Sequence, residues 1–188
     1  ALIQALYISK GPMLIAALVE FGIVWYLSSR IYKLSLASAT LWFILFSAIN
    51  GLTLGWIFAV YNIAIIAKTF FVTAGTFGAM ALIGSTTKKD LTKFGGILFM
   101  ALIGLIIASL VNMFLQSSTM DYIVSIIGVI VFTGLTAWDA QAIKRNLLMA
   151  PDAGESAQKI ALLGSLSLYL DFINLFLYLL RFFGNNRD

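Results

Sequence analysis

Two acidic residues lie in apolar stretches of this sequence, and together they could hold a proton or a cation. Asp171 stands near the middle of SLYLDFINLFLYLLRFF, residues 167–183, and Asp139 follows another apolar run, in LTAWDAQAIK. A carboxylate at bilayer depth costs roughly 2.5–3.5 kcal/mol on insertion scales, so an acid retained there indicates a functional role. For Asp139 the alternative is an acid near a helix end that reaches water or pairs with Lys144.

If the two carboxyl groups meet, they share one proton, because two carboxylates within hydrogen-bond distance do not both ionise easily. Such a pair titrates in two steps that belong to the pair and not to either residue. It would hold its two helices together while it shares the proton and release them once both groups are charged. The doubly charged pair would attract a hard cation, but calcium prefers six to eight oxygen ligands, so calcium binding by Asp139 and Asp171 would be weak and transient.

Composition places these acids in a membrane protein. Of the 188 residues, 61% are hydrophobic and 11% are charged, and a soluble domain of this length could not bury so much apolar surface. The chain has no Cys and no His, which excludes disulfides, thiolate catalysis and histidine metal sites within it. The net charge of +4 is spread over loops and does not form a nucleic-acid-binding patch.

The hydrophobic residues come in blocks of about 20, the length that crosses a hydrocarbon core of roughly 30 Å. We predict an all-α, polytopic membrane helix bundle that forms a single domain over residues 1–188. Its six spans are placed at 12–30, 38–60, 63–84, 94–114, 121–143 and 158–183. The opening ALIQALYISKG is typical of the tail of an earlier helix, so we expect seven spans in the intact protein; the alternative is six spans with inverted topology.

Basic residues alternate between the two ends of these spans. Eight of the twelve follow spans one, three and five, namely Arg30, Lys33, Lys88, Lys89, Lys93, Lys144, Arg145 and Lys159. The positive-inside rule places that side in the cytoplasm. Asp121, at the edge of span five on the other side, is interpreted as a helix cap in contact with water.

The last span carries its polar residues on one face. Their spacing is three or four residues, at Gly164, Ser167, Asp171, Asn174, Tyr178 and Arg181. The other faces are Leu, Phe and Ile, which favours a central helix whose polar face borders an internal crevice. A short loop joins spans five and six, so we expect them to be antiparallel neighbours.

A second pair of charges lies toward the outer side. Glu20 of span one sits about 12 Å below the outer end of its helix at 1.5 Å per residue, and Arg181 lies ten residues beyond Asp171 toward the same side. An ion pair between them would neutralise both charges. The alternative is that Arg181 reaches the lipid headgroups while Glu20 is protonated or faces water.

These motifs together resemble the bacterial branch of the Bax inhibitor-1 family, also called the transmembrane Bax inhibitor motif family. The resemblance covers nearly the whole chain and is carried by SLYLDFINLFLYLLRFFG, GLTAWDAQAIK and GTFGAMALIGSTTKKDL. It implies seven spans with the last one wrapped by the other six, a location in the bacterial inner membrane, and a pH-sensitive calcium leak.

The resemblance also implies roles for individual residues. By motif, Asp139 and Asp171 correspond to the aspartates that sense pH in the family, and it supports Glu20 with Arg181 as the outer charge pair. A basic residue near the inner end of the family's second helix engages the aspartates. The candidates for it here are Arg30 and Lys33, between which SSRIYKLS does not decide.

We therefore expect a pH-gated, calcium-permeable leak channel without a cofactor, whose partners are the lipid bilayer, calcium and protons. One alternative is a non-transporting regulator that binds a membrane protease or stress factor, and another is a proton-coupled cation exchanger. An enzyme is not expected. Neither Asp139 nor Asp171 lies in the Gly-x-Gly-Asp context of paired-aspartate membrane proteases.

Overall fold

The computed structural model of the protein describes the backbone of residues 10–185 and the side chains of residues 15–184. Within that range the chain forms helices α1 (Lys10–Arg30), α2 (Leu36–Leu54), α3 (Ile57–Val60), α4 (Ile63–Thr86), α5 (Thr92–Leu115), α6 (Ser118–Leu148) and α7 (Glu155–Asn185). The expectation that ALIQALYISKG ends an earlier helix falls almost entirely outside the described residues.

In the described part of the chain, five segments are long and apolar enough to cross a membrane: Leu36–Val60, Ile63–Thr86, Thr92–Leu115, Ser118–Leu148 and Glu155–Gly184. They confirm the predicted polytopic helical fold and coincide with predicted spans two to six. Predicted span one coincides with α1, whose side chains are described only from Ile15 onward, so its crossing of the membrane stays a prediction.

Predicted span two is divided in the structure. Helix α2 ends at Leu54, and the short helix α3 begins at Ile57. The N–H of Gly55 donates to the carbonyl of Leu52 at 3.1 Å, which tightens the last turn of α2 and interrupts the regular ladder. Because glycine has a low helix propensity, interrupting the helix at this position costs little free energy.

Polar side chains set where several helices begin. Ser35 accepts a hydrogen bond from the N–H of Ser38 at the start of α2, Asn62 from Ala64 at the start of α4, and Ser117 from Met120 at the start of α6. Each satisfies a backbone donor that has no partner within its own helix. The N-cap of α6 is therefore Ser117, and the interpretation of Asp121 as the cap is wrong.

The chain divides into two compact units. The first contains the residues up to Tyr61 together with Ala150–Leu163, and the second contains Asn62–Met149 and the residues from Gly164 onward. In the first unit α1 packs against α2, with Ile23, Leu27, Ala39 and Phe46 buried. Helix α7 begins in the first unit and continues into the second.

The second unit is built from α4, α5, α6 and most of α7. Its core contains Leu105, Val124, Val131, Phe132, Leu135, Leu175 and Leu179. Every described residue of α7 from Leu166 onward is buried or half-buried, as the prediction of a central last helix requires. Helix α5 instead exposes a row of large apolar side chains, including Ile103 and Phe114, which is the surface a helix presents to lipid.

Glycines bring α6 close to its neighbours in the second unit. A Cβ added at Gly84 of α4 would overlap the backbone of Ala137, and one added at Gly95 of α5 would overlap the Trp138 indole. Small residues allow this approach where no hydrophobic effect drives helices together in lipid.

Gly84→Ala is expected to lower the free energy of unfolding by about 1–3 kcal/mol, because the added methyl group meets backbone, which cannot rotate away. The measurement is thermal or denaturant unfolding in a mild detergent. Gly104→Ala is the matched control, since nothing lies within 4 Å of a Cβ at Gly104 and the change improves helix propensity. Equal stability of the two variants would contradict the close α4–α6 contact.

Candidate functional site

Helices α6 and α7 form an antiparallel pair along most of their length in the second unit. The contacts run in opposite directions along the two helices, with Ile143 against Gly164, Gly128 and Phe132 against Tyr178, and Tyr122 against Phe182. The predicted adjacency of spans five and six is confirmed. This packing fixes which residues of the two helices face each other.

The two sequence-predicted aspartates meet within this pair. Asp171 is buried, with 5% of its surface exposed, and Asp139 is half-buried. Their carboxyl groups lie close enough to interact electrostatically, and the sharing of a proton between them stays a prediction. A carboxylate only accepts hydrogen bonds, so a bond between two carboxyl groups requires a proton on one of them.

One carboxyl oxygen of Asp171 is also distinctive. Its Oδ2 is buried and has no hydrogen-bond partner among the described residues. A buried acceptor without a donor costs free energy, and the cost rises sharply if the group is charged. Lys144, the alternative partner of Asp139, donates instead to the carbonyl of Ser85 at 2.7 Å.

The rest of the polar face of α7 is enclosed by neighbouring side chains. Asn174 donates from Nδ2 to the Leu170 carbonyl of its own helix at 2.8 Å. The ring of Tyr178 stacks on Phe132 with 5.7 Å between centroids. On the adjacent side, Phe172 contacts Phe77 of α4 edge to face at 5.4 Å. The two carboxyl groups therefore lie in a largely apolar part of the unit.

An ion pair that sequence reasoning missed joins the far ends of the two helices. Arg181 of α7 lies 3.4 Å from Asp121 of α6, and its guanidinium lies over the Tyr178 ring at 5.6 Å from the centroid. Asn112 of α5 donates to Asp121 at 3.5 Å. The sequence contained a signal for this pair. Asp121 begins predicted span five and Arg181 lies near the end of predicted span six, and antiparallel neighbours bring those two ends together.

A polar cavity of about 420 Å³ opens beside this ion pair. Its lining includes Ser109, Asn112, Gln116, Ser117, Asp121 and Arg181. Helix α5 ends there at Leu115, and its C-cap Gln116 adopts a left-handed conformation with φ of 51°. The cavity gives this end of the α6–α7 pair access to polar surroundings.

Glu20 has hydrogen-bond partners within the first unit. Its two carboxylate oxygens accept from Asn50 Nδ2 at 2.9 Å and from Thr53 Oγ1 at 2.6 Å. Both donors belong to α2, so the acid contributes to the α1–α2 contact. The pairing of Glu20 with Arg181, a residue of the second unit, stays a prediction.

The candidate inner counter-charges also belong to the first unit. Arg30 is the last residue of α1, and Lys33 lies in the turn that follows, where its N–H donates to the Arg30 carbonyl at 2.8 Å. Both side chains are exposed. Which of the two engages the aspartates stays a prediction.

Two basic clusters of the sequence meet at the opposite end of the second unit from the Asp121–Arg181 ion pair. Arg145, near the end of α6, lies 3.8 Å from Asp90 in the loop between α4 and α5. Hydrogen bonds from the Thr92 side chain and N–H hold the pKa of Asp90 below its usual range. This contact brings Lys88, Lys89 and Lys93 to the same end as Lys144 and Arg145, in agreement with the charge alternation.

Among the described residues, no group of three or more His, Cys, Asp or Glu side chains is placed to hold a metal ion. A cation at Asp139 and Asp171 would have two carboxyl groups as its acidic ligands. This is well short of the oxygen shell that stable calcium binding needs.

A double-mutant cycle tests the Asp121–Arg181 ion pair. Asp121→Asn and Arg181→Gln are expected to couple by about 0.5 kcal/mol in unfolding free energy, since both side chains are about one third exposed and such pairs are weak. The coupling should shrink at high salt. The control cycle combines Asp121→Asn with Lys144→Gln at the other end of α6, and it should be additive; equal coupling in both cycles would contradict the pair.

Comparison with known proteins shows which sequences this chain is similar to. A protein-family model described as "Inhibitor of apoptosis-promoting Bax1" matches residues 1–188. The chain is 50% identical over 189 residues to the inner membrane protein YbhL of Escherichia coli (strain K12), covering 100% of this chain and 80% of that protein.

Two further relatives come from distant bacteria. A protein of Borreliella burgdorferi is 49% identical over 187 residues, covering 99% of this chain and 81% of the relative. One of Rickettsia prowazekii is 46% identical over 167 residues, covering 89% and 70%. Together with the membrane-length helices, this similarity identifies a multi-pass protein of the inner membrane.

Proposed function

This chain belongs to the Bax inhibitor-1 family, and we propose that it acts as a pH-sensitive, calcium-permeable leak channel of the bacterial inner membrane. The observation that supports the proposal is the proximity of the Asp139 and Asp171 carboxyl groups, which interact across α6 and α7 in the second unit. Proton loss from this pair is the event that opens the channel. No enzymatic activity and no cofactor are assigned.

The proton acts by linking two helices. With one proton present, Asp139 of α6 and Asp171 of α7 are joined by a hydrogen bond, and the channel is closed. Once both groups are ionised, the bond is replaced by repulsion. Two like charges about 4 Å apart repel by about 4 kcal/mol at an effective dielectric constant near 20.

That magnitude is sufficient for gating. Two conformations of a protein that differ by a few kcal/mol are both within reach of such a perturbation, and each 1.4 kcal/mol changes their ratio about tenfold. The unpaired Oδ2 of Asp171 favours the same sequence of events, because its burial makes the fully charged state costly unless the helices separate.

Calcium is proposed as the permeant ion on the basis of family membership. The charged pair would attract a divalent cation while offering too few oxygens to retain it, and weak binding is what conduction requires. In this proposal Glu20 and Arg181 form the outer gate, and Arg30 or Lys33 supplies the inner counter-charge. The Glu20–Asn50 and Glu20–Thr53 hydrogen bonds fix the Glu20 carboxylate against α2.

Calcium flux into vesicles containing the purified protein is expected to rise with pH as the pair loses its shared proton. Asp171→Asn should remove this dependence and keep flux low, because an amide can donate a hydrogen bond to Asp139 at any pH and the pair never becomes doubly charged. The measurement is entry of calcium reported by an enclosed dye over a pH series. Asp139→Asn should behave in the same way.

Asp152→Asn is the matched control for this experiment. Asp152 is exposed in the loop before α7, and asparagine caps a helix as well as aspartate does. Hydrogen bonds from the Ser156 side chain and from backbone N–H groups hold the pKa of Asp152 below its usual range, so it does not titrate near neutral pH. A flat pH profile for the unmodified protein would contradict the proposed proton gating by the aspartate pair. An unchanged profile for both Asp139→Asn and Asp171→Asn would contradict it as well.

The same vesicles separate the other two functions. A proton-coupled exchanger would move calcium only when a proton gradient is imposed, whereas a leak needs only a calcium gradient. A non-transporting regulator would give no flux under either condition.

A further inference from the structure

A groove on the second unit is apolar along its length and basic at one end. It has a volume of about 560 Å³ and lies between α4, α6 and α7. Seven of the ten residues that line it are glycine, alanine or leucine, namely Gly78, Ala81, Ala140, Leu82, Leu147, Leu148 and Leu168. The volume falls within the roughly 300–1,000 Å³ typical of small-molecule sites.

Because membrane-length helices form this groove, we expect it to open toward the hydrocarbon region. All three helices that form it are long and apolar enough to cross the membrane, and Leu82 at its edge is 68% exposed. An occupant that enters from this direction comes from the bilayer. An acyl chain fits the lining, but it gains little from apolar contact alone, since lipid tails are as apolar as the groove.

Charge at the end of the groove decides between classes of lipid. Lys144 lines it and uses one of its three N–H groups to hold the Ser85 carbonyl at 2.7 Å. Gln141, close by on α6, hydrogen-bonds the Lys89 carbonyl and the Leu91 N–H at 2.8 Å each. These bonds hold the lysine-bearing loop against the same end of α6.

Among the residues that the structure describes, the lining contains no Asp or Glu. A headgroup phosphate there meets the Lys144 ammonium, with the charge of Lys89 on the adjoining loop. The ammonium of a zwitterionic headgroup finds no carboxylate among the lining residues. The chemistry therefore selects negatively charged headgroups, and each basic residue near such lipids contributes about 1 kcal/mol.

We propose that this groove is a binding site for an anionic phospholipid of the leaflet predicted to be cytoplasmic, with an acyl chain along Gly78 and Leu168 and the headgroup phosphate at Lys144. Nothing lies within 4 Å of a Cβ built at Gly78. Empty space beside a glycine on the groove wall leaves room for the chain. It also allows a larger side chain to be introduced without a clash.

The test measures binding of phosphatidylglycerol to the purified full chain in a neutral detergent, by native mass spectrometry and by the rise in melting temperature. Phosphatidylglycerol should bind and stabilise, and phosphatidylcholine should do so markedly less. Lys144→Gln should weaken phosphatidylglycerol binding about fivefold, the effect of one basic residue. Gly78→Leu should abolish it by filling the groove.

Two matched controls isolate the groove from general surface charge. Lys93→Gln removes the same charge from the same end of the unit at a residue that does not line the groove, and Gly104→Leu adds the same side chain in open space on α5. Both should bind phosphatidylglycerol as the unmodified protein does. Soluble glycerol phosphate should give no stabilisation, since it has no chain for the groove.

Three results would overturn the proposal. One is equal binding of phosphatidylcholine and phosphatidylglycerol, and another is an equal loss in Lys144→Gln and Lys93→Gln. The third is stabilisation by glycerol phosphate alone. If Gly78→Leu does not fold, the comparison of Lys144→Gln with Lys93→Gln still decides the outcome.

Discussion

The arrangement of the second unit depends on how closely α6 approaches its neighbours. Gly84 of α4 and Gly95 of α5 lie where a side chain would overlap α6, and Gly128 of α6 itself receives the Tyr178 ring of α7. In a bilayer, helices gain little by burying apolar surface against one another, so contacts of this kind must hold the bundle together. Helix α6 is thereby fixed on three sides, and its polar residues are positioned with it.

This packing also determines where the two aspartates lie relative to each other. Asp139 and Asp171 belong to helices that are already held in register by Tyr178 between Gly128 and Phe132. The aspartates do not need to bring the helices together. They need only add or remove a few kcal/mol, which is the scale on which a proton acts.

The two ends of the α6–α7 pair have different chemistry. At one end the Asp121–Arg181 ion pair lies beside a polar cavity, and at the other the α4–α5 loop is tied to α6 by Lys144 and Arg145. Partly exposed ion pairs respond mainly to salt. Among the described residues of this unit, these charged side chains tie α6 to its neighbours near its two ends, and in the proposed function the aspartates between them respond to protons.

The sequence by itself determined the fold class, five membrane-length helices to within a few residues, and the two aspartates, because apolar block length and a charge inside such a block are local properties of the chain. It did not determine the break in the second span or the partner of Arg181. Those depend on which residues face each other once helices pack. Asp121 was assigned to water because it lies at the edge of a predicted span, and only the antiparallel contact of α6 with α7 places it against Arg181. The proximity of Asp139 and Asp171, 32 positions apart by their residue numbers, likewise required the register that Gly128 and Gly164 permit.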